Sequence, residues 1–158
     1  MTTMTGDVPR LVLDTNVWVA AAFRPSGSAG TVVARIRRGE LRLVWDDATR
    51  GETEAVVRRI PPLSWDRVAP LFRAEDRFAG RVDVAPFDAV PDPADRRFAA
   101  LAAAADATLL TSDHHLLDGR DSSAARILTP REFVRGGDDG AGPESAEDID
   151  GIDGLSPT

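Results

Sequence analysis

The sequence predicts an α/β domain in which a mainly parallel sheet of four to five strands is flanked by helices. Three observations carry this expectation. Apolar runs of strand length recur along the chain, as in RLVLD (10–14), LRLVW (41–45) and TLLT (108–111). The segments between them have helical periodicity with recognisable starts and stops. Strands that alternate with helices return through crossovers, which run them parallel and cover the sheet on both faces.

Taken in order, Arg10 to Asp14 reads as a buried strand, followed by an apolar helical turn from Val17 to Phe23. Ser28 is placed to cap a helix running to about Arg38, with Gly39 in the stop position. Leu41 to Trp45 alternates as a second strand, and Asp46 or Asp47 caps a helix reaching Arg59, which Pro61 and Pro62 terminate. Ser64 opens another helix to about Phe78, in which Pro70 is a point of kinking or splitting. Arg81 to Val84 is a third short strand. The PDPAD turn beginning at Pro91 feeds an alanine-rich helix, Asp95 to Ala105. Thr108 to Thr111 forms a fourth strand and Arg126 to Thr129 a fifth, closed by a short helix around Arg131 to Val134.

A chain of 158 residues supports one ordinary domain with whatever tail it carries. Residues 136–158 contain only Ile149, Ile152 and Leu155 as large apolar side chains, too few to offset the entropy of ordering, so the expected division is an N-terminal extension (1–9), a domain (10–135) and an acidic disordered tail (136–158). That tail holds seven of the 26 acidic residues and no basic one, so the formal charge of −7 resides there and the remaining nineteen acids balance nineteen arginines. The absence of cysteine excludes disulfides and thiolate metal sites. No apolar run reaches the roughly 20 residues that span a bilayer. The N-terminus lacks a basic flank and an apolar stretch, so a cytoplasmic protein without a membrane partner is expected.

The acids are the informative residues. Asp14 follows the apolar run LVL at the carboxyl end of the first strand, and Asp113 follows TLLTS at the end of the fourth. Asp95 lies in the first turn of the helix before that strand, and Glu52 near the start of the helix after the second. Singly, each reads as a cap or turn residue. Parallel α/β topology brings all four to one edge of the sheet, where ligands bind. Carboxylates gathered without compensating bases repel one another and are normally tolerated around a metal. Oxygen ligands with no cysteine and only two histidines favour Mg²⁺ or Mn²⁺ over zinc, and such ions work on phosphates.

The blocks LVLDTNVW (Leu11 to Trp18), DPADRRFAALA (Asp92 to Ala102) and LLTSDHHLL (Leu109 to Leu117) resemble, in order, the signature blocks of the PIN domain, particularly its toxin-like bacterial subfamily. The resemblance covers about Arg10 to Val134 and implies a three-layer PIN-like fold. It implies that the family's acids fall on Asp14, Asp95 and Asp113, with the helix glutamate on Glu52. Glu54 is a rival for that glutamate, and the Val56 to Arg59 pattern favours Glu52. Asn16, Thr111 and Ser112 match polar residues that orient the acids or a water. Asp92 reads as a turn residue, and His114 and His115 as loop filler. Arg35, Arg37, Arg38, Arg42, Arg96 and Arg97 are read as a solvated face before they are read as RNA contacts.

The function so implied is metal-dependent hydrolysis of RNA by a toxin endoribonuclease, with Mg²⁺ or Mn²⁺ held by Asp14, Asp95, Asp113 and Glu52, an antitoxin protein as partner, and a homodimer as a further possibility. Receiver domains, aspartate-nucleophile phosphatases and P-loop proteins all need a lysine, and the chain has none. The alternatives are a PIN-like interaction module without catalysis and a housekeeping RNA-processing nuclease.

Overall fold

A computed structural model describes residues 8–137. Most of the expected N-terminal extension and the acidic tail from Asp138 lie outside the described residues. Four strands, β1 (Arg10–Leu13), β2 (Arg42–Leu43), β3 (Thr108–Leu110) and β4 (Arg126–Leu128), form one sheet in the order β2-β1-β3-β4. Every pairing is parallel, with Leu11 beside Leu43 and Thr108, and Leu109 beside Ile127. The helices are α1 (Thr15–Phe23), α2 (Ser28–Arg37), α3 (Asp47–Arg58), α4 (Trp65–Val68), α5 (Pro93–Ala105), α6 (His114–Asp118) and α7 (Pro130–Gly137).

Strand alternation divides the core between the two faces. Leu11, Leu13 and Leu110 pack with Val17, Trp18, Val32, Ile36 and Phe133 from α1, α2 and α7. Val12, Leu109 and Ile127 pack on the other side with Phe98, Leu101, Ala102 and Leu116 from α5 and α6. The result is the expected three-layer arrangement, helices on both faces of an all-parallel sheet. The alanine run in α5 lets that helix approach closely, since Ala99, Ala100 and Ala102 are fully buried. At α2, a Cβ on Gly30 would run into the backbone of Pro25, so only glycine allows the helix to follow the turn so tightly.

Two expectations are corrected. Residues 81–84 form no strand: Val82 packs against the α5 side of the core while Val84 is exposed, and the only ladder contact nearby is the bridge between Trp45 and Arg77. Their alternation reports one-sided burial without a neighbouring strand to pair with. The helix expected from Ser64 to Phe78 is four residues of α4 followed by two 3-10 turns, Ala69–Leu71 and Ala74–Asp76. Pro70 has no N–H to continue the ladder, which ends the helix there. Helix starts shift slightly as well. Gly27 rather than Ser28 stands at the cap of α2, and Asp46 caps α3 in a reciprocal box with Thr49.

Candidate active site

The chain passes from β1 to β2 on one side and later returns through β3 on the other, so the crevice beyond β1 and β3 is the sheet's topological switch point. Three aspartates converge there. Asp14 ends β1 and caps α1, and its backbone N–H donates to Leu110 at the end of β3. Asp113 follows β3 and caps α6. Asp95 stands in the first turn of α5, whose cap is Asp92. Asp14, Asp95 and Asp113 each offer a carboxylate oxygen, and these oxygens lie within 4.8 Å of one another. The donor set is all oxygen, and no arginine pairs with any of the three among the described residues. That composition fits a hard divalent cation such as Mg²⁺ or Mn²⁺.

Asp14 is buried and held from several sides. The Thr15 amide donates to its Oδ1 at 2.7 Å, and the Thr111 hydroxyl donates to its Oδ2 at 2.7 Å. Asn16 adds a longer contact through Nδ2 at 3.3 Å, while its Oδ1 accepts from the Ser112 amide at 3.3 Å. Thr111 also accepts from the Asp113 amide at 3.0 Å, so one buried hydroxyl links two of the acids. Ser112 thus contributes through its backbone, and Thr111 and Asn16 through their side chains.

The electrostatics follow from this crowding. Burial pushes the Asp14 carboxyl up; the Thr111 and Thr15 hydrogen bonds offset part of this, and Asp113 and Asp92 push it further. Asp95 is pushed up to about 8, first by burial, then by its hydrogen bond to Asp113 and the negative charges of Asp14, Asp113 and Asp92. Burial also penalises ionised Asp113, but the His115 amide, the hydrogen bond with Asp95 and the two neighbouring histidines outweigh it and hold Asp113 low. Asp95 therefore keeps a proton and shares it with an ionised Asp113. A divalent cation held by these oxygens would take the place of that proton.

Glu52 lies on α3, half-buried beside the stripe formed by Thr49 and Thr53, and is not among the convergent carboxylates. Its rival Glu54 is engaged elsewhere, accepting from Arg58 at 2.7 Å and lying 3.8 Å from Arg50. Asp92 accepts from the Ala94 amide, as a turn and cap residue does. The histidines are not in a loop: they open α6, and the His115 amide donates to Asp113 Oδ1 at 2.8 Å. An Asp followed by His-His-Leu-Leu is a cap followed by apolar residues, and that signal was available in the sequence.

Arg96 and Arg97 are not free to meet a phosphate. Arg96 donates to the Val90 carbonyl at 2.6 Å, and Arg97 pairs with the buried Asp46 at 3.1 Å, tying the start of α3 to α5. Arg38 pairs with Glu40, and Arg42 lies 3.5 Å from Asp76.

Replacing Thr111 by Val keeps the shape but strips Asp14 of a donor and the Asp113 amide of its acceptor. A loss of about 1–3 kcal/mol in stability and roughly 10–100-fold in metal affinity is expected, read by denaturant melts and Mn²⁺ titration. Unchanged affinity would show that the hydroxyl does not orient the cluster.

No curated protein and no solved structure matches the chain. The family model of the PIN domain matches residues 10–115, from the first strand to the start of α6, and so spans all three aspartates. PIN domains are generally nucleases, built on the parallel three-layer sheet described above, and this chain belongs to the PIN-domain family.

Proposed function

We propose that the protein is a metal-dependent endoribonuclease that hydrolyses RNA phosphodiester bonds, with Asp14, Asp95 and Asp113 as the metal-holding acids. The observation that carries this reading is the convergence of three carboxylates within 4.8 Å at the switch point, with no arginine paired to any of them among the described residues. A bound Mg²⁺ or Mn²⁺ would supply activation of water and neutralise charge on the phosphoryl oxygens. Asp14, fixed by Thr15, Thr111 and Asn16, supplies the carboxylate held by the most hydrogen bonds. Asp113 stays ionised, and Asp95 gives up its proton as the site loads. Glu52, which is not among the convergent carboxylates, would contribute only through water. No protein nucleophile is required.

Ser112 also lines a groove of about 380 Å³ with Val17, Arg24, Ser28 and Arg131. Arg24 forms no ion pair among the described residues, so it supplies a charge for the phosphate of an adjacent nucleotide. The domain of residues 10–135 carries the activity, and the tail is not required for it. The cellular role of a toxin held by an antitoxin rests on the resemblance of the three sequence blocks to that subfamily. A cytoplasmic location follows from that role. No helix among the described residues is long and apolar enough to cross a membrane.

The test is cleavage of single-stranded and structured RNA with Mn²⁺ or Mg²⁺ present and then chelated. Cleavage that needs the ion and stops with chelator is expected. Cleavage that survives complete chelation, or an ion-loaded protein that cleaves no RNA, would overturn the reading.

A further inference from the structure

On the face of the domain away from α5, α1, α2 and α4 enclose a cleft of about 430 Å³. Its walls are one face of each longer helix: Trp18, Ala21 and Ala22 from α1, and Gly30, Val33, Ala34 and Arg37 from α2. Leu63, Arg67 and Val68 close the third side. The small residues leave the channel open. Trp18 lines it at 3% exposure, and its indole Nε1, almost without accessible surface, has no hydrogen-bond partner among the described residues. Arg37 and Arg67 flank the cleft, both exposed; Arg37 donates to the Arg67 carbonyl at 3.2 Å, and neither pairs with a carboxylate among the described residues. An apolar channel flanked by two positive charges without a carboxylate partner calls for a segment that is apolar on one edge and acidic on the other.

The chain contains one such segment. Residues 147–155, EDIDGIDGL, place Ile149, Ile152 and Leu155 three apart, with Asp150 and Asp153 between them. A three-residue repeat lines its apolar side chains along one edge of an extended left-handed helix of about 3.1 Å rise per residue. A segment of this composition can gain order where a preformed surface covers its apolar side chains. Its attachment point is close: α7 packs on α2 through Phe133, in the same apolar cluster as Ala29, Val32 and Ile36. Nine residues separate Gly137 from Glu147. Extended, they reach about 30 Å, well beyond the roughly 10 Å width of one helix.

We propose that residues 147–155 of this chain dock in the cleft between α1, α2 and α4, with Ile149, Ile152 and Leu155 in the channel against Trp18 and Val33, and Asp150 and Asp153 against Arg37 and Arg67. This docking is independent of the nuclease reading.

The test compares the full chain with one ending at Gly137 by hydrogen exchange and by the indole N–H resonances. In the full chain, amides of α1, α2 and α4 facing the cleft exchange roughly tenfold more slowly, and the Trp18 indole resonance is shifted by the segment packed against the ring. A synthetic peptide of residues 138–158 restores both effects to the shortened chain, more weakly at high salt. The full chain carrying Ile149→Ser, Ile152→Ser and Leu155→Ser together behaves like the shortened one while keeping every charge. Identical exchange and resonances in both chains, or a peptide that restores nothing, would overturn the proposal. Protection that grows with protein concentration would overturn it in favour of docking between two copies.

Discussion

Replacing Asp14 by Asn is expected to lower metal-dependent RNA cleavage by at least about a hundredfold, more than the 10–100-fold usual for a residue that merely orients a ligand. The fold should survive. The amide oxygen keeps the bond from the Thr15 N–H, the new NH2 faces the Thr111 hydroxyl, which can turn to accept from it, and the substitution removes a buried charge that Asp113 and Asp92 repel. The melting midpoint of the metal-free protein should therefore hold or rise while activity collapses. Rate and melting must be measured on the same preparation. A folded variant that cleaves within about threefold of wild type would remove Asp14 from the site. Asp113→Asn should behave alike, whereas Asp92→Asn, which alters only a cap, should be mild.

The second large effect is a pH dependence set by Asp95. Because its carboxyl is held up to about 8, loading a cation below that pH displaces a proton. The apparent affinity for Mn²⁺ is expected to rise close to tenfold per pH unit between about pH 6 and 7.5, then level off. Without metal the sign reverses. A carboxyl raised in the folded state binds its proton where the unfolded chain does not, so its stabilising contribution is complete below about pH 4 and is lost as pH rises to about 8. Calorimetric Mn²⁺ titration and melts in chelator, each across this range, read the two slopes. Asp95→Asn should flatten both. If the variant keeps the wild-type slopes, another group carries the proton.

Much of this was legible because it is local. An aspartate after a short apolar run is both a strand end and a helix cap, and the first and third blocks place Asp14 and Asp113 at such positions, while the second places Asp95 in the first turn of a helix. Thr111 and Asn16 were visible for the same reason, being neighbours in sequence of the residues they serve. What was not legible depends on distant partners. Residues 81–84 alternate as a strand does, but whether a strand forms depends on a neighbouring edge, which no periodicity reports. The split of the segment after Ser64 could be placed only as a possibility at Pro70. The Asp46–Arg97 pair joins residues 51 apart, so an arginine that reads as part of a solvated face is in fact bound to a buried acid and ties α3 to α5. The orphan indole of Trp18 is invisible in the sequence, where that residue is simply apolar.

The central claim is that Asp14, Asp95 and Asp113 hold one divalent cation together. The most direct measurement is anomalous diffraction from crystals of the full chain soaked in Mn²⁺ at about pH 8. The account predicts an anomalous peak about 2.1 Å from a carboxylate oxygen of each of the three aspartates, weakened or lost in crystals of Asp95→Asn. No peak at saturating Mn²⁺, or a peak that touches none of these carboxylates, would contradict it.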